Sequence, residues 1–231
     1  MIGRYLLRSI ALLLTPVLLY WLLGVAVYRY VLPPVTPLML IRSVERGHLV
    51  WHQGVPLEAI ARPLALAVVA AEDSGFCLHR GVDLQAVETA AQEYRDSGRL
   101  RGASTITMQV ARNLFLWNGG GVFRKALEIP LALALDALWP KRRIVEVYLN
   151  IAEWGPGVFG AQAAAQFHFR VNAAQLTPVQ AARLAAVLPS PVKWSPSRPS
   201  DYVQRRARFI QTQSARLSAA QLGCIANIAR R

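Results

Sequence analysis

Two adjacent carboxylates follow an apolar stretch in the first half of the chain. Glu72 and Asp73 come directly after eight apolar residues, Leu64 to Ala71. A carboxylate that is partly removed from water has a raised pKa, which suits a general base or acid that works near pH 7. The alternative is that the pair marks the point where a helix leaves the core. The residue types alone favour that alternative, and only the residues that follow favour chemistry.

Cations form the second group of candidates. Three of the 26 basic residues are lysines, and two of them, Lys125 and Lys141, lie in the central stretch that holds ten of the 13 acids. Lysine supplies a compact point charge that arginine does not, which would explain its retention there, although chance is the alternative. Arg124 and Glu128 are four residues apart, so they also suit an ordinary helix ion pair worth about 0.3–0.5 kcal/mol.

The region after residue 57 is predicted to be mainly α, because apolar residues recur at helical spacing and strand-like alternation is rare. One predicted helix begins near residue 106, where either Ser104 or Thr105 could be the N-cap. Another begins at Lys141, and its core face is formed by Ile144, Val147, Tyr148 and Ile151. Pro130, two residues after Glu128, would break one hydrogen bond of a helix ladder, which leaves the exact placement of Glu128 open.

A membrane anchor is predicted at residues 10–28. These nineteen residues carry no charge and as a helix would reach about 28 Å, close to the hydrocarbon thickness of a bilayer. A cleaved signal peptide is the alternative, but its apolar region is usually shorter. We therefore divide the chain into a cytoplasmic N-terminus (1–9), a transmembrane helix (10–28), a stalk (29–56), which contains Pro33, Pro34 and Pro37, and one domain (57–231).

Composition and charge exclude several classes of protein. With 54% hydrophobic residues, the 231-residue chain is neither disordered nor a coiled coil, and two cysteines and four histidines are too few for a metal-built fold. Whether Cys77 and Cys224 pair cannot be read from their spacing. From Trp154 onward one acid accompanies ten basic residues, which predicts an anionic neighbour such as phospholipid or a phosphate-bearing substrate. No nucleic-acid motif is present, so nucleic acid is not an expected partner.

Four sequence blocks resemble the peptidoglycan glycosyltransferase family, in the family's order and at its intervals. They are EDSGFCLHRG from Glu72, GASTITMQVARNLFL from Gly102, RKALE from Arg124 and KRRIVEVYLN from Lys141. The resemblance extends from about residue 60 to residue 215. It implies a lysozyme-like, mainly α glycosyltransferase domain with a small membrane-facing jaw subdomain, at about residues 113–123, preceded by one transmembrane helix.

The resemblance also implies roles for individual residues. Glu72 would be the general base that polymerises lipid II with inversion and release of undecaprenyl pyrophosphate, and Glu128 a second catalytic carboxylate. Binding of the substrate and its diphosphate is assigned to Asp73, Phe76, His79, Ser104, Thr105, Gln109, Arg112, Arg124 and Lys125. No cofactor is required by the sequence and no metal ligands are assigned, although the resemblance allows a divalent cation, Mg²⁺ or Mn²⁺, at the pyrophosphate.

The implied partners are lipid II, the growing glycan chain, membrane lipids and, as a further option, proteins of cell-wall synthesis or division. The implied location is the inner membrane, with the N-terminus in the cytoplasm and the domain outside. Two alternatives stay open. The same fold with one acid near a sugar could cleave peptidoglycan instead, as a lytic transglycosylase or lysozyme-like hydrolase does. A non-enzymatic, basic, anchored scaffold is the other, and its support is the charge of the last third of the chain.

Overall fold

The computed structural model describes residues 2–98, 102–117 and 119–225, and the side chains of residues 2–11, 13 and 122 are outside that description. The described chain is mainly helical, as the sequence predicts. The helices are α1 (Ile2–Tyr28), α2 (Pro37–Arg46), α3 (Arg62–Glu72), α4 (Leu84–Ser97), α5 (Ile106–Phe115), α6 (Gly121–Leu138), α7 (Lys141–Ile151), α8 (Ala161–Phe169), α9 (Pro178–Val187), α10 (Asp201–Arg216) and α11 (Ala219–Leu222).

Two groups of helices form the core. α3 packs against α9 and α10, while α5 packs against α6 and α7. The face predicted for α7 is confirmed, because Ile144, Val147, Tyr148 and Ile151 are all buried. The predicted N-cap of α5 is also confirmed: Thr105 Oγ1 accepts the Met108 N–H at 3.1 Å. These two groups meet at the end of α3 and the start of α5, where polar residues of the first two sequence blocks lie together.

A small sheet, which the sequence analysis did not predict, covers one end of the domain. Its strands are β1 (Trp51–His52), β2 (Glu153–Gly155) and β3 (Val158–Phe159), in the order β1-β3-β2. β1 runs parallel to β3, and β2 runs antiparallel to it. Strands of two or three residues are too short for alternation to be visible in the sequence.

The stalk prediction is wrong for residues 29–56. This segment contains α2 and β1, and Met39 is 1% exposed inside the core. Thr36 caps α2 by accepting the Met39 N–H, Pro37 occupies the first turn, and Gly47 ends the helix in the left-handed conformation. The prolines therefore mark the start of a packed helix rather than an extended linker.

The ladder bond that is lost at Pro130 does not end the helix. α6 continues from Gly121 to Leu138 with Pro130 inside it, and the proline is exposed. A helix can lose one ladder hydrogen bond on its solvent face without ending, since water satisfies the freed carbonyl. As a result Glu128 keeps a regular helical position one turn after Arg124.

The predicted anchor, residues 10–28, lies within α1, which packs against the domain. Tyr20 Oη donates to the Leu114 carbonyl at 2.7 Å, Trp21 Nε1 donates to the Phe115 carbonyl at 3.3 Å, and Trp139 Nε1 donates to the Val25 carbonyl at 2.8 Å. Within the described ranges, a helix with both the length and the apolar character needed to cross a bilayer is not found.

The predicted jaw needs one correction. The jaw prediction has Leu114, Phe115 and Leu116 dip into the bilayer, with a buried core strip that ends in a flexible loop as the alternative; the three residues are buried, partly under α1. Among the described side chains there, Trp117 and Phe123 present large apolar surface, on either side of the glycine run at 119–121. Asn118, which the jaw prediction includes, lies outside the described residues.

Cys77 and Cys224 form a disulfide, which settles the pairing that the sequence left open. It connects the loop after α3 to the segment after α11, 147 residues later. A second contact runs alongside it, since Gln221 Nε2 donates to the Ser74 carbonyl at 3.1 Å. The end of the described chain is thereby held against the loop that carries Asp73.

Gly81 ends this loop, and its backbone requires glycine. Its φ is +76°, and a Cβ would lie 2.6 Å from the Ala132 carbonyl oxygen. We expect Gly81→Ala to destabilise the fold by about 2 kcal/mol or more, since a left-handed backbone alone costs about 1–2 kcal/mol and the clash is with backbone. Thermal and urea unfolding in detergent measure this.

Gly98→Ala is the matched control for that measurement. Gly98 also has a positive φ, +66°, but a Cβ there would meet nothing within 4 Å. Its cost should be limited to the backbone conformation, about 1 kcal/mol. Equal losses of stability in the two variants would contradict the close approach of Gly81 to α6.

Candidate active site

A cleft of about 840 Å³ lies between the end of α3, the start of α4, the segment 102–105 and one face of α10. Its volume is within the range of about 300–1,000 Å³ that is usual for ligand sites. The walls are largely polar. Two of the four sequence blocks line it, the first through Glu72 and Asp73 and the second through Ser104 and Thr105.

Glu72 ends α3 and presents its carboxylate to this cleft. The side chain is 15% exposed, so it is largely but not completely removed from water. Gln109 Nε2 on α5 donates to Glu72 Oε2 at 3.0 Å, and Tyr148 Oη on α7 donates to Gln109 Oε1 at 3.2 Å. Arg206 on α10 approaches Glu72 Oε1 at 3.9 Å. Four helices thus fix the position of one carboxylate.

The pKa of Glu72 is raised above its ordinary value, because burial disfavours the charged form. The hydrogen bond from Gln109 and the positive charges of Arg206 and Arg112 oppose that shift without cancelling it. Burial also raises the pKa of the neighbouring Tyr148 phenol well above its usual range, so Tyr148 stays a hydrogen-bond donor. A carboxylate with a raised pKa and a fixed orientation can accept a proton from a hydroxyl near neutral pH.

Asp73 holds the loop rather than facing the cleft freely. Its Oδ2 accepts the Ile106 N–H at 3.0 Å, and His79 Nε2 lies 2.9 Å from its Oδ1. Thr105 Oγ1 donates to the Gly81 carbonyl at 2.5 Å, which closes the same loop from the other side. The resemblance assigns Asp73, His79 and Thr105 to substrate binding. In the structure their side chains hold the loop after α3 against the start of α5.

Phe76 is wrongly assigned to substrate contact. It is fully buried, and the ammonium of Lys141 lies 4.5 Å from the centre of its ring. Lys141 also forms an ion pair with Asp136 at 2.5 Å. Lys141, the second lysine of the central stretch, therefore supports the loop from beneath and is not among the residues that line the cleft.

The third motif forms a cationic group around one buried acid. Lys125 Nζ lies 2.9 Å from Glu128 Oε2 and 2.8 Å from Ser104 Oγ, to which it donates. Arg124 forms an ion pair with the other Glu128 oxygen, and the Glu128 side chain is 2% exposed. The pKa of Lys125 is lowered to about 8, because burial and then Arg112 and Arg124 disfavour its charged form. Glu128 therefore holds two cations beside Ser104, at the edge of the cleft.

Arg112 lies between the two groups. It shifts the pKa values of both Glu72 and Lys125, and burial lowers its own pKa. Its guanidinium donates to Asn113 Oδ1 at 3.3 Å. It also lines a second cavity of about 360 Å³, on the other side of Gln109, together with Arg42 and Lys193. The structure thus brings together Glu72, Gln109 and Arg112 as one group and Ser104, Arg124, Lys125 and Glu128 as another.

Sequence reasoning missed Arg206 and gave Tyr148 only a scaffold role. Arg206 is one of ten basic residues in the last third of the chain, and nothing in their spacing distinguishes the one that faces Glu72. Tyr148 does have a core position, as predicted, but its hydroxyl orients Gln109. The only available signal was the Y of the fourth motif, four residues after Ile144.

The donors near the cleft do not suit a resident metal ion. Within the described ranges, no group of three or more His, Cys, Asp or Glu side chains is arranged to hold one. Glu128 is engaged by Lys125 and Arg124, and Asp73 accepts the Ile106 N–H. These carboxylates therefore do not form a cradle for the divalent cation that the resemblance allows.

Comparison with known proteins identifies the family. Residues 40–215 match the family model described as Transglycosylase. The chain is similar to proteins named biosynthetic peptidoglycan transglycosylase: it is 51% identical to that of Rhodospirillum centenum, over 93% of each chain. It is 48% identical to that of Pseudomonas aeruginosa, over 82% of this chain and 84% of the relative, and 46% identical to that of Caulobacter vibrioides, over 90% of each. The chain belongs to the transglycosylase family.

The lowered pKa of Lys125 is testable by acetylation of the intact protein with acetic anhydride. Labelling follows the neutral amine, so modification of Lys125 should rise with a midpoint near pH 8. Exposed Lys193 in the same digest is the control for reagent chemistry. Glu128→Gln removes the anion that favours the ammonium and should move the midpoint below 8. A wild-type midpoint near 10.5 would show that burial and the two arginines have no effect on Lys125.

Proposed function

We propose that this chain is a peptidoglycan glycosyltransferase that polymerises lipid II into glycan strands. The observation that carries the proposal is a buried, oriented carboxylate, Glu72, that shares a cleft with the Lys125–Ser104 edge. Membership of the transglycosylase family and the names of the relatives support it. The growing strand is the donor and a further lipid II is the acceptor.

In the proposed reaction, Glu72 takes the proton of the acceptor's 4-hydroxyl. The hydroxyl oxygen bonds to the donor's anomeric carbon on the face opposite the diphosphate, which inverts that carbon. The bond between that carbon and the diphosphate oxygen breaks, and undecaprenyl pyrophosphate leaves with the electron pair. Gln109 holds the Glu72 carboxylate in place. The raised pKa of Glu72 suits a base that must accept a proton near neutral pH.

Negative charge grows on the leaving diphosphate, and cations must meet it. Lys125 and Arg124 are held in place by Glu128, and Arg112 lies between them and Glu72. Glu128 acts in this proposal as a positioning residue, because its buried oxygens contact the two cations and leave no surface for substrate. Hydrogen bonds between such cations and phosphate oxygens are stronger than neutral ones.

We further propose that α1 anchors the domain in the inner membrane, with the domain outside the cytoplasm. Arg143 binds the carbonyl of Tyr28, whereas the end of α5 binds Tyr20, eight residues or about 12 Å deeper along α1. This spacing supports a proposed position of the loop around Trp117 and Phe123 at the level of the bilayer, below the point where α1 would leave it. A disulfide between Cys77 and Cys224 suits an oxidising compartment outside the cytoplasm. Proteins of cell-wall synthesis or division at this membrane are proposed partners of the chain.

The alternatives differ in their products. With purified lipid II, a polymerase gives long glycan and free undecaprenyl pyrophosphate, whereas a lytic enzyme shortens preformed sacculi without polymerising. The cations at the cleft edge favour the polymerase, since cleavage of an uncharged glycan link does not need them. The scaffold alternative predicts neither product.

Glu72→Gln tests the base. It keeps size and hydrogen-bonding capacity but cannot accept the proton, so kcat with lipid II should fall by about 100- to 10,000-fold while lipid II binding is largely kept. The matched control is Glu88→Gln, which removes an exposed acid of α4 outside the cleft and should leave kcat unchanged. Near-normal turnover by Glu72→Gln would exclude Glu72 as the base.

Phe123→Asp tests the membrane contact of the loop. Phe123 is 69% exposed, and an acid in the first turn of α6 is compatible with the helix, so the fold should be kept. In liposomes, the wild-type glycine run at 119–121 should resist protease about tenfold longer than in detergent, as burying one Phe is worth about 1.5–3 kcal/mol. The variant should lose most of that protection, whereas Phe167→Asp on α8 should not. Equal cleavage of the wild type in both media would contradict insertion.

A further inference from the structure

The cleft has a wall that the proposed reaction does not use. One face of α10 lines it with Arg206, Phe209, Gln213 and Arg216. These residues lie three or four positions apart, so their side chains share one side of the helix. The adjacent side of α10, formed by Val203, Ala207 and Ile210, is buried in the core. The wall is therefore rigid, and its polar side chains are directed along the cleft.

Phe209 is the only aromatic residue among the described residues that line this cleft. Its side chain is 63% exposed and is not part of the buried face of α10. The surrounding surface is polar and includes Gln85, Thr89 and Ser104 on the other walls. A flat apolar ring inside a polar cleft matches a ligand that has a flat apolar face and a polar edge.

Sugar rings have this combination of surfaces. The axial C–H groups of a pyranose form a flat apolar face, which packs on the electron-rich face of an aromatic ring, while the hydroxyl and amide groups project from the edge. On this wall Gln213 and Arg216 follow Phe209 by about one and two helical turns and can bind such edge groups. We propose that Phe209 is the platform on which a sugar ring of the glycan substrate stacks, with Gln213 and Arg216 holding its polar edge. This rests on the proposed glycosyltransferase function.

The position of the platform along the cleft fits this role. Arg206 approaches Glu72 at 3.9 Å. Phe209 follows by about 4.5 Å along the helix axis and Arg216 by about 15 Å. The stacked sugar therefore lies beside the reacting carboxylate rather than on it. Phe209 contributes to binding and alignment, and proton transfer is left to Glu72.

The far end of the wall is held in place by covalent structure. Leu217, directly after α10, and Gln221, in α11, line the same cleft. Gln221 donates to the Ser74 carbonyl, and the disulfide fixes Cys224 to Cys77 in the Glu72 loop. The distance between the platform and the catalytic carboxylate is thereby fixed at both ends of the wall. Such preorganisation favours a binding surface that must keep register with Glu72.

The experiment compares three variants of full-length protein on lipid II in detergent. Phe209→Leu keeps a large apolar side chain but loses the flat ring, and should raise KM about threefold to tenfold with kcat within about twofold. Phe209→Tyr keeps the ring and should retain a wild-type KM. Tyr202→Leu makes a similar change on the same helix outside the cleft, where Tyr202 packs on Trp194, and should leave KM unchanged.

Three results would overturn the platform. They are a wild-type KM for Phe209→Leu, an equal rise in KM for Tyr202→Leu, and a failure of Phe209→Tyr to keep the wild-type value. A loss of binding to phosphatidylglycerol vesicles by Phe209→Leu, with KM unchanged, would show a membrane contact instead. Unfolding midpoints within about 2 °C of wild type are required of each variant, and the exposure of Phe209 makes this the expected result.

A second measurement separates the platform from the proposed function. Phe209→Trp places a fluorophore in the cleft, and its emission beyond that of the six native tryptophans should change when a soluble β-1,4-linked N-acetylglucosamine tetramer binds. If wild type fails to polymerise lipid II but this signal appears, the polymerase assignment fails and the platform stands. If wild type polymerises and neither the signal nor the KM change appears, the platform alone is wrong.

Discussion

A single buried carboxylate, that of Asp73, fixes the arrangement on which the site depends. Asp73 follows α3 as its C-cap, and its Oδ2 accepts the first free backbone N–H of α5, at Ile106. An acid at a helix N-terminus satisfies an orphan donor and interacts favourably with the helix dipole. Because this one contact joins the two helices, Glu72 on the first faces Gln109 on the second. His79 and Thr105 close the loop around it, and Gly81 allows the close approach to α6.

Burial and neighbouring charges together set the pKa values of the charged groups in the site. Burial raises the pKa of Glu72 and lowers the pKa of Lys125, so both groups are shifted toward the neutral form. Arg112 partly opposes the shift of Glu72 and adds to that of Lys125. Glu128 compensates part of the mutual repulsion of Arg124 and Lys125 by contacting both of them. In the proposed reaction the leaving diphosphate would add further negative charge beside these cations.

The sequence predicted what periodicity and motif spacing can carry. The buried face of α7, the cap at Thr105 and the mainly helical class follow from local patterns, and the structure has them. The packed segment 37–52 was not predicted, because its helix is short and its strand partner, β3, lies more than 100 residues away. The burial of Leu114 and Phe115 was missed for a related reason. An apolar run beside glycines looks the same whether it meets lipid or, as here, another helix.

The disulfide between Cys77 and Cys224 is also a long-range contact that local sequence patterns do not reveal. It shows why α10 matters to the site. α10 contributes no motif to the four blocks, yet Arg206 reaches Glu72 and Phe209 faces the cleft. A surface helix of this kind would keep its place through apolar packing alone, which tolerates small shifts. The disulfide and the Gln221–Ser74 bond instead fix its end to the loop that Asp73 orders. One loop therefore sets the position of both the base and the wall opposite it, so a disturbance at Asp73 would displace the whole cleft rather than one side chain.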